Sequence, residues 1–159
     1  MDIKDKELHR IAITVIIYTE DGKYLITKRS PSKKAFPNKW TVPGGGLNVD
    51  DYINTPKTYS GHPQWYNVLE NAMRREVKEE VNIEIGKPWF VIDCTFVRPD
   101  AIPVLVLSFA APYKSEEVKL DEDNVEYAWV GALEAGKYDL IEGIIHEIKT
   151  VDDILKNRK

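Results

Sequence analysis

Apolar positions along this chain recur with two different periods. Residues 11–18, Ile-Ala-Ile-Thr-Val-Ile-Ile-Tyr, form a β-branched run that predicts a strand, and Lys23 to Arg29 alternates in the manner of a half-buried second strand. Asp21-Gly22 between them predicts a hairpin turn. Residues 30–39 read as a loop, and Trp40 to Val42 as a short strand running into Pro43-Gly44-Gly45-Gly46. From Leu47 to Gln64 neither period holds, which predicts a long irregular excursion. Residues 66–81 then predict a helix of good formers, with Asn82 as a left-handed cap. Strands are expected at about 88–97, 102–111 and 125–130. A final helix is expected at about 141–156, where Ile141, Ile144, Ile145, Ile148, Val151 and Leu155 recur at helical steps. Strands flanking one helix and preceding another predict a mixed α/β domain with helices on both sides of a sheet.

Composition narrows the function classes. The 159 residues fit one domain, and 43% hydrophobic content suffices for a core. A net charge of −4 provides no basic field for a nucleic acid. A single cysteine, Cys94, builds neither an intramolecular disulfide nor a thiolate metal site; it is expected to pack as a small hydrophobe in its strand, and a reducing cytoplasm is the expected compartment. Met1 to Arg10 carries six charged residues, and no apolar stretch nears 18 residues, so neither a signal peptide nor a membrane span is expected.

The central helix carries the chemistry. Leu69, Met73 and Val77 mark its apolar stripe, and at about 100° per residue Glu76 and Glu80 fall in the same sector, with Glu79 at its edge. Carboxylates at i, i+3 and i+4 repel one another beside a core, and a cation is the simplest compensation. Oxygen ligands suit Mg²⁺ or Mn²⁺, which also shares substrate phosphates. Arg75, one turn before Glu79, is placed to pair with it and fix its rotamer. Taken alone, such a string is more often a solvated charged face. Upstream, a strand ending in Gly44, Gly45 and Gly46 lets backbone groups approach a metal and a phosphate closely.

Gly45 followed by Arg75-Glu76-Val77-Lys78-Glu79-Glu80-Val81-Asn82-Ile83 resembles the Nudix box: G, five residues, E, seven residues, then R-E-apolar-x-E-E-x-G-apolar. Lys28-Arg29-Ser30, Trp40-Thr-Val-Pro-Gly-Gly and Trp129-Val130 extend the resemblance over most of residues 11–130. It implies an α/β/α sandwich with a mixed central sheet. It also implies a Mg²⁺-dependent hydrolase in which water attacks a phosphorus of a nucleoside diphosphate derivative. Under this resemblance Glu76, Glu79 and Glu80 are metal ligands, with the Gly45 carbonyl as a further one, and Arg75 orients a glutamate. Gly44, Gly45, Gly46 and Arg29 are expected at the substrate, with Lys39 and Arg10 behind Arg29; Lys33 and Lys34 are expected as solvated charges. Family members often draw a carboxylate from a loop before the late Trp. Here Glu122 and Asp123, then Glu126, are the candidates for a ligand or general base, against the plainer reading of a solvated acidic turn.

The chain departs from the pattern in two places. Counted back from Arg75, the first glutamate falls on Asn67, 22 positions after Gly45 where the pattern has six, so 16 residues are additional. Glu70 lies three residues on and is not expected to replace it. Asn82 stands where the pattern has glycine, a mild change because Asn tolerates the left-handed conformation. The inserted loop, about 47–64, reads as a lid, a specificity loop, a subunit contact or a tolerated excursion. Its Trp65, Tyr66, Tyr52 and Tyr59 suit either stacking on a base or packing at a helix start. Gly61-His62-Pro63 and residues 32–41 also resemble the isopentenyl diphosphate isomerase branch. That branch requires a cysteine where Ser60 stands and a downstream glutamate pair absent from Ala101 to Leu107. Three further alternatives are a glycosyl hydrolase of the GDP-mannose type, an ADP-ribose pyrophosphatase and a catalytically silent nucleotide-binding module. A nucleotide-type small molecule is the expected partner, and the chain is expected to be a monomer or a homodimer.

Overall fold

A computed structural model describes residues 6–58 and 61–158. Tyr59 and Ser60, both singled out above, lie outside the described residues. Among the described residues eight strands form one mixed sheet: β1 (Arg10–Tyr18), β2 (Tyr24–Arg29), β3 (Trp40–Thr41), β4 (Gly44–Gly46), β5 (Glu84–Ile85), β6 (Trp89–Val97), β7 (Pro103–Ser115) and β8 (Asn124–Val130). Helices α1 (Val68–Val81) and α2 (Ile144–Asn157) complete the fold. At the centre β1 runs parallel to β7 over nine residue pairs, from Arg10 opposite Val104 to Tyr18 opposite Pro112.

The alternation within β1 sorts the core into two layers. Ile13, Val15 and Ile17 point toward Ala72, Met73, Val77 and Val81 of α1, whereas Ile16 joins Ile144, Ile148 and Val151 of α2. Both faces of the sheet are therefore covered, which is the expected α/β/α arrangement. Each large side chain buried this way contributes about 1.5–3 kcal/mol.

Two-sided cover also corrects the expectation for β2. Tyr24, Leu25, Ile26 and Thr27 are all buried, so the strand is not half-exposed: Leu25 faces the α1 layer, Tyr24 and Ile26 the α2 layer. The glycine run is not the end of the preceding strand but a strand of its own. Gly44, Gly45 and Gly46 are β4, paired antiparallel with Thr14, Ile13 and Ala12. Three residues without side chains carry no period, so the strand was invisible to pattern reading. The short strand β5 was likewise not anticipated, and β7 runs four residues past its expected end at 111.

Cys94 is exposed, contrary to the expectation of packing. It lies on β6, which pairs with β7 and leaves much of its length open to solvent. Helix α1 starts two residues later than the expected 66, leaving Tyr66 and Asn67 outside it, and its C-cap Asn82 adopts the expected left-handed conformation at φ 59° with its N–H donating to Lys78 O.

Candidate active site

Strand β4 lies against α1, and the glutamate face of the helix meets it. Gly45 projects toward α1 so closely that a Cβ there would come within 2.2 Å of the Glu76 carboxylate. One turn on, Glu80 accepts a hydrogen bond from the Gly44 N–H at 3.0 Å. A glycine is thus required at 45 by the approach of the Glu76 carboxylate, and at 44 by the backbone of β1.

Burial governs the electrostatics of that pair. Glu80 is pushed up to about 7, chiefly by burial, with the negative charges of Glu76 and Asp121 adding to the rise; the Gly44 N–H and the Arg29 guanidinium oppose it. Glu76 is also raised by burial, against the pull of Arg75. Glu79 points away from β4: its side chain is 59% exposed and bonded to Arg75 Nη1 at 2.9 Å. Among the described residues, no three Asp, Glu, His or Cys side chains converge into a ready metal cluster. Two partly buried carboxylates beside a glycine strand are nevertheless an oxygen-only donor set, one paired with Arg75 and the other raised by burial, which suits a hard divalent cation.

Arg75 is the hub of the cluster. Beyond Glu79 it reaches Glu76 at 2.9 Å and the Gly46 carbonyl at 3.4 Å, and it grips Asp51 at two points, Nε to Oδ1 at 2.5 Å and Nη2 to Oδ2 at 3.2 Å. The Asp51 side chain is 2% exposed, and the arginine holds its carboxyl below the usual range. Asp51 ends a 3₁₀ turn, Val49–Asp51, capped by Asn48, whose own N–H donates to Asp51 Oδ2 at 2.8 Å. Counting forward from Gly45 reaches Asp51 after six positions, the family spacing. Counting back from Arg75 reaches Asn67, which makes no capping bond and lies at the start of α1. The acidic partner of Arg75 thus stands at the family spacing from Gly45, inside the 47–64 excursion, where a backward count from Arg75 does not point. Glu70 is committed to Arg74.

The other expected residues separate clearly. Arg29 lies close enough to Glu80 to favour its charge, and its Nε donates to the Ala35 carbonyl at 3.0 Å. The Arg10 guanidinium lies over Gly46, where a Cβ would meet it at 2.6 Å. Lys39 pairs with Asp139, and Lys33, expected to be solvated, pairs with Asp123. Lys34 is exposed. Of the acidic loop, Asp123 is thereby engaged, Glu126 pairs with Lys28, and Glu122 is exposed. The loop carboxylate whose charge is felt at Glu80 is Asp121, whose backbone N–H also donates to Glu80 O at 3.2 Å. His62 is exposed.

Known proteins share this fold. A family model described as NUDIX domain matches residues 8–149. The nucleoside triphosphatase NudI of Escherichia coli K12 is 29% identical over 130 residues, covering 76% of this chain and 81% of that protein. A MutT protein from Methanosarcina mazei superposes with a TM-score of 0.70 at 23% identity, covering 98% of this chain and 100% of the other. The NUDIX domain of Shewanella oneidensis NrtR, solved with ADP ribose, gives 0.70 at 15% identity, covering 98% and 94%. With the family model spanning nearly the whole chain and the glycine strand and glutamate helix in register, the chain belongs to the NUDIX family and is a Nudix hydrolase.

Proposed function

We propose that the chain hydrolyses a phosphoanhydride bond of a nucleoside triphosphate or a compact nucleotide derivative, using Mg²⁺. The observation that carries this reading is the close approach of Glu76 and Glu80 to Gly45 and Gly44, with Glu80 pushed up to about 7 chiefly by burial. Glu76 and Glu80 would hold the ion, with Glu79 and the Gly45 carbonyl completing its protein ligands. A divalent ion supplies neutralisation of charge developing on the pyrophosphate and a bound water acidic enough to attack phosphorus. Arg75 fixes the rotamers of Glu76 and Glu79 while Asp51 fixes Arg75. Arg29, beside Glu80, is the cation for a substrate phosphate, and Asp121 joins Glu122 and Asp123 as a candidate proton acceptor. The likeness to NudI favours a triphosphate substrate. The lone Cys94 favours a reducing cytoplasm, and among the described residues no helix is long and apolar enough to cross a membrane.

The test is a panel of nucleoside triphosphates, nucleotide sugars and ADP-ribose assayed with Mg²⁺, alongside Glu79→Gln and Glu80→Gln. Turnover of at least one compound, lost by at least two orders of magnitude in Glu80→Gln, is the expected result. Turnover that survives EDTA, or that is equal in both variants and wild type, would refute it.

A further inference from the structure

The additional residues build a cleft. It measures about 480 Å³, within the range of small-molecule sites. Leu47 and Val68 contribute its apolar wall, Tyr52, Trp65 and Tyr66 its aromatic residues, and Gln64 a polar one; among the described residues that line it, none is charged.

The walls are held in place. Trp65 Nε1 donates to the Thr55 carbonyl at 3.0 Å, the Thr58 N–H to the Gln64 carbonyl at 2.9 Å, and the Tyr66 N–H to Thr58 Oγ1 at 3.2 Å. The rings of Tyr52 and Trp65 sit 5.3 Å apart at 53°. Cross-bonds of this kind fix a loop's shape before any ligand arrives and reduce the entropy cost of binding.

The cleft is also joined to the carboxylate site at two points. Leu47 follows Gly46 directly, and Tyr52 follows Asp51, which Arg75 grips. Along α1, Val68 and Glu76 are eight residues apart, about 12 Å. An uncharged aromatic cleft lies one small-molecule length from a site suited to phosphates.

We propose that this cleft takes the nucleobase of the substrate, stacked on the Tyr52, Trp65 and Tyr66 surface and read at its edge by the Gln64 amide. The assignment rests on the phosphate-site reading above. A planar, neutral ring with hydrogen-bonding edges matches these walls. The Gln64 amide offers one acceptor and two donor hydrogens to such an edge. Tyr52 adjoins Asp51, so an occupied cleft also steadies the turn that holds Arg75 over Glu76 and Glu79.

Binding and turnover separate this assignment from the hydrolase reading. Calorimetric titration with AMP, GMP, CMP and UMP in EDTA reads the cleft without catalysis. At least one should bind, and Trp65→Ala should weaken it by roughly tenfold or more, the usual cost of a lost base stack. With Mg²⁺ and a turned-over substrate, Trp65→Ala should raise KM by a similar factor, far more than it changes kcat. Gln64→Ala should change the ranking of the four bases; its side chain is exposed, so it decides the matter if Trp65→Ala fails to fold. Monophosphate binding and KM that stay within twofold in both variants, at unchanged melting temperature, would overturn the nucleobase assignment and leave the hydrolase intact. Base-dependent binding lost in Trp65→Ala, with no turnover of any nucleotide, would uphold the cleft and sink the hydrolase reading.

Discussion

Asp51 grips Arg75 at two points while Arg75 simultaneously touches Glu76 and Glu79, so one buried carboxylate in the first turn of the inserted loop sets the orientation of two carboxylates on α1. A planar guanidinium bonded along one edge cannot rotate without breaking both bonds, which transmits the position of Asp51 to the helix face. Asp51→Asn should therefore lower kcat by about 10- to 100-fold, the usual effect of losing a group that orients a metal ligand. Asp51→Glu should retain more activity than Asp51→Asn, because it keeps the charge. Equal activity in Asp51→Asn and wild type would show that Arg75 is held well enough by Gly46 and the glutamates alone.

If Glu80 holds the ion as proposed, it should tie metal affinity to pH. Its carboxyl is pushed up to about 7 by burial, so a proton competes with a cation there below that pH and not above it. Mg²⁺ should raise the melting temperature more at pH 8 than at pH 6. At 100 times Kd, binding stabilises by about 2.7 kcal/mol, several degrees for a domain of this size. EDTA should erase the gain, and Glu80→Gln should abolish both the gain and its pH dependence. A shift of equal size at both pH values, or an undiminished shift in Glu80→Gln, would place the ion elsewhere.

The parts of this architecture that were legible in the sequence are those with a period. Helix α1 and its glutamate sector followed from apolar steps at Leu69, Met73 and Val77, and the two-layer core from the runs in β1 and α2. Strand β4 was not legible, because glycines offer a pairing backbone without a side-chain pattern. The site of the insertion was ambiguous for a different reason. Forward and backward counts across it reach Asp51 and Asn67, and only the contact with Arg75 chooses between them. In the acidic loop, Asp121, Glu122 and Asp123 are adjacent carboxylates in a turn, where no period says which faces Glu80.

The acidic loop can be resolved by substitution. Asp123 is engaged by Lys33, Glu122 faces solvent, and Asp121 acts on Glu80. Asp121→Asn should reduce kcat more than Glu122→Gln or Asp123→Asn. Its Oδ1 also accepts from Asp123 N and Asn124 Nδ2, bonds that an asparagine oxygen can keep, so the melting temperature should change little. A larger kcat loss in Glu122→Gln would return the proton acceptor to the residue first expected.

Neighbouring glycines of β4 should respond differently to the same added methyl. At Gly45 the new Cβ would meet the tip of Glu76, a flexible side chain that can swing away, so Gly45→Ala should fold with little loss of stability. Its activity should fall by tenfold or more as Glu76 leaves its place. At Gly44 the Cβ would lie 2.2 Å from Ile13 O and 2.8 Å from Thr14 Cα, backbone atoms of the central strand that cannot move alone. Gly44→Ala should lower the melting temperature markedly. Similar melting temperatures for the two variants would contradict this division.

A second buried carboxyl, away from the glycine strand, ties fold stability to pH. Glu147 of α2 is only 7% exposed, and its Oε2 has no partner; Ser108, bonded to Thr14 at 2.8 Å, offers the other oxygen a hydroxyl. Burial raises its pKa, with Ser108 and His146 partly opposing the rise. A carboxyl raised in the folded state ionises first in the unfolded chain, so its contribution to stability falls as pH climbs from the unfolded value, about 4.3, through the folded one. Above that window the buried charge is fully destabilising. Glu147→Gln removes the charge at nearly constant shape, and should raise the melting temperature at pH 8 by a few degrees, equivalent to about 1–2 kcal/mol. At pH 4, where the native carboxyl is already protonated, the two proteins should melt within about a degree of each other. A destabilised Glu147→Gln at pH 8 would mean that the ionised carboxylate is needed by the hydroxyls of Ser108 and Thr14, reversing the sign of its contribution.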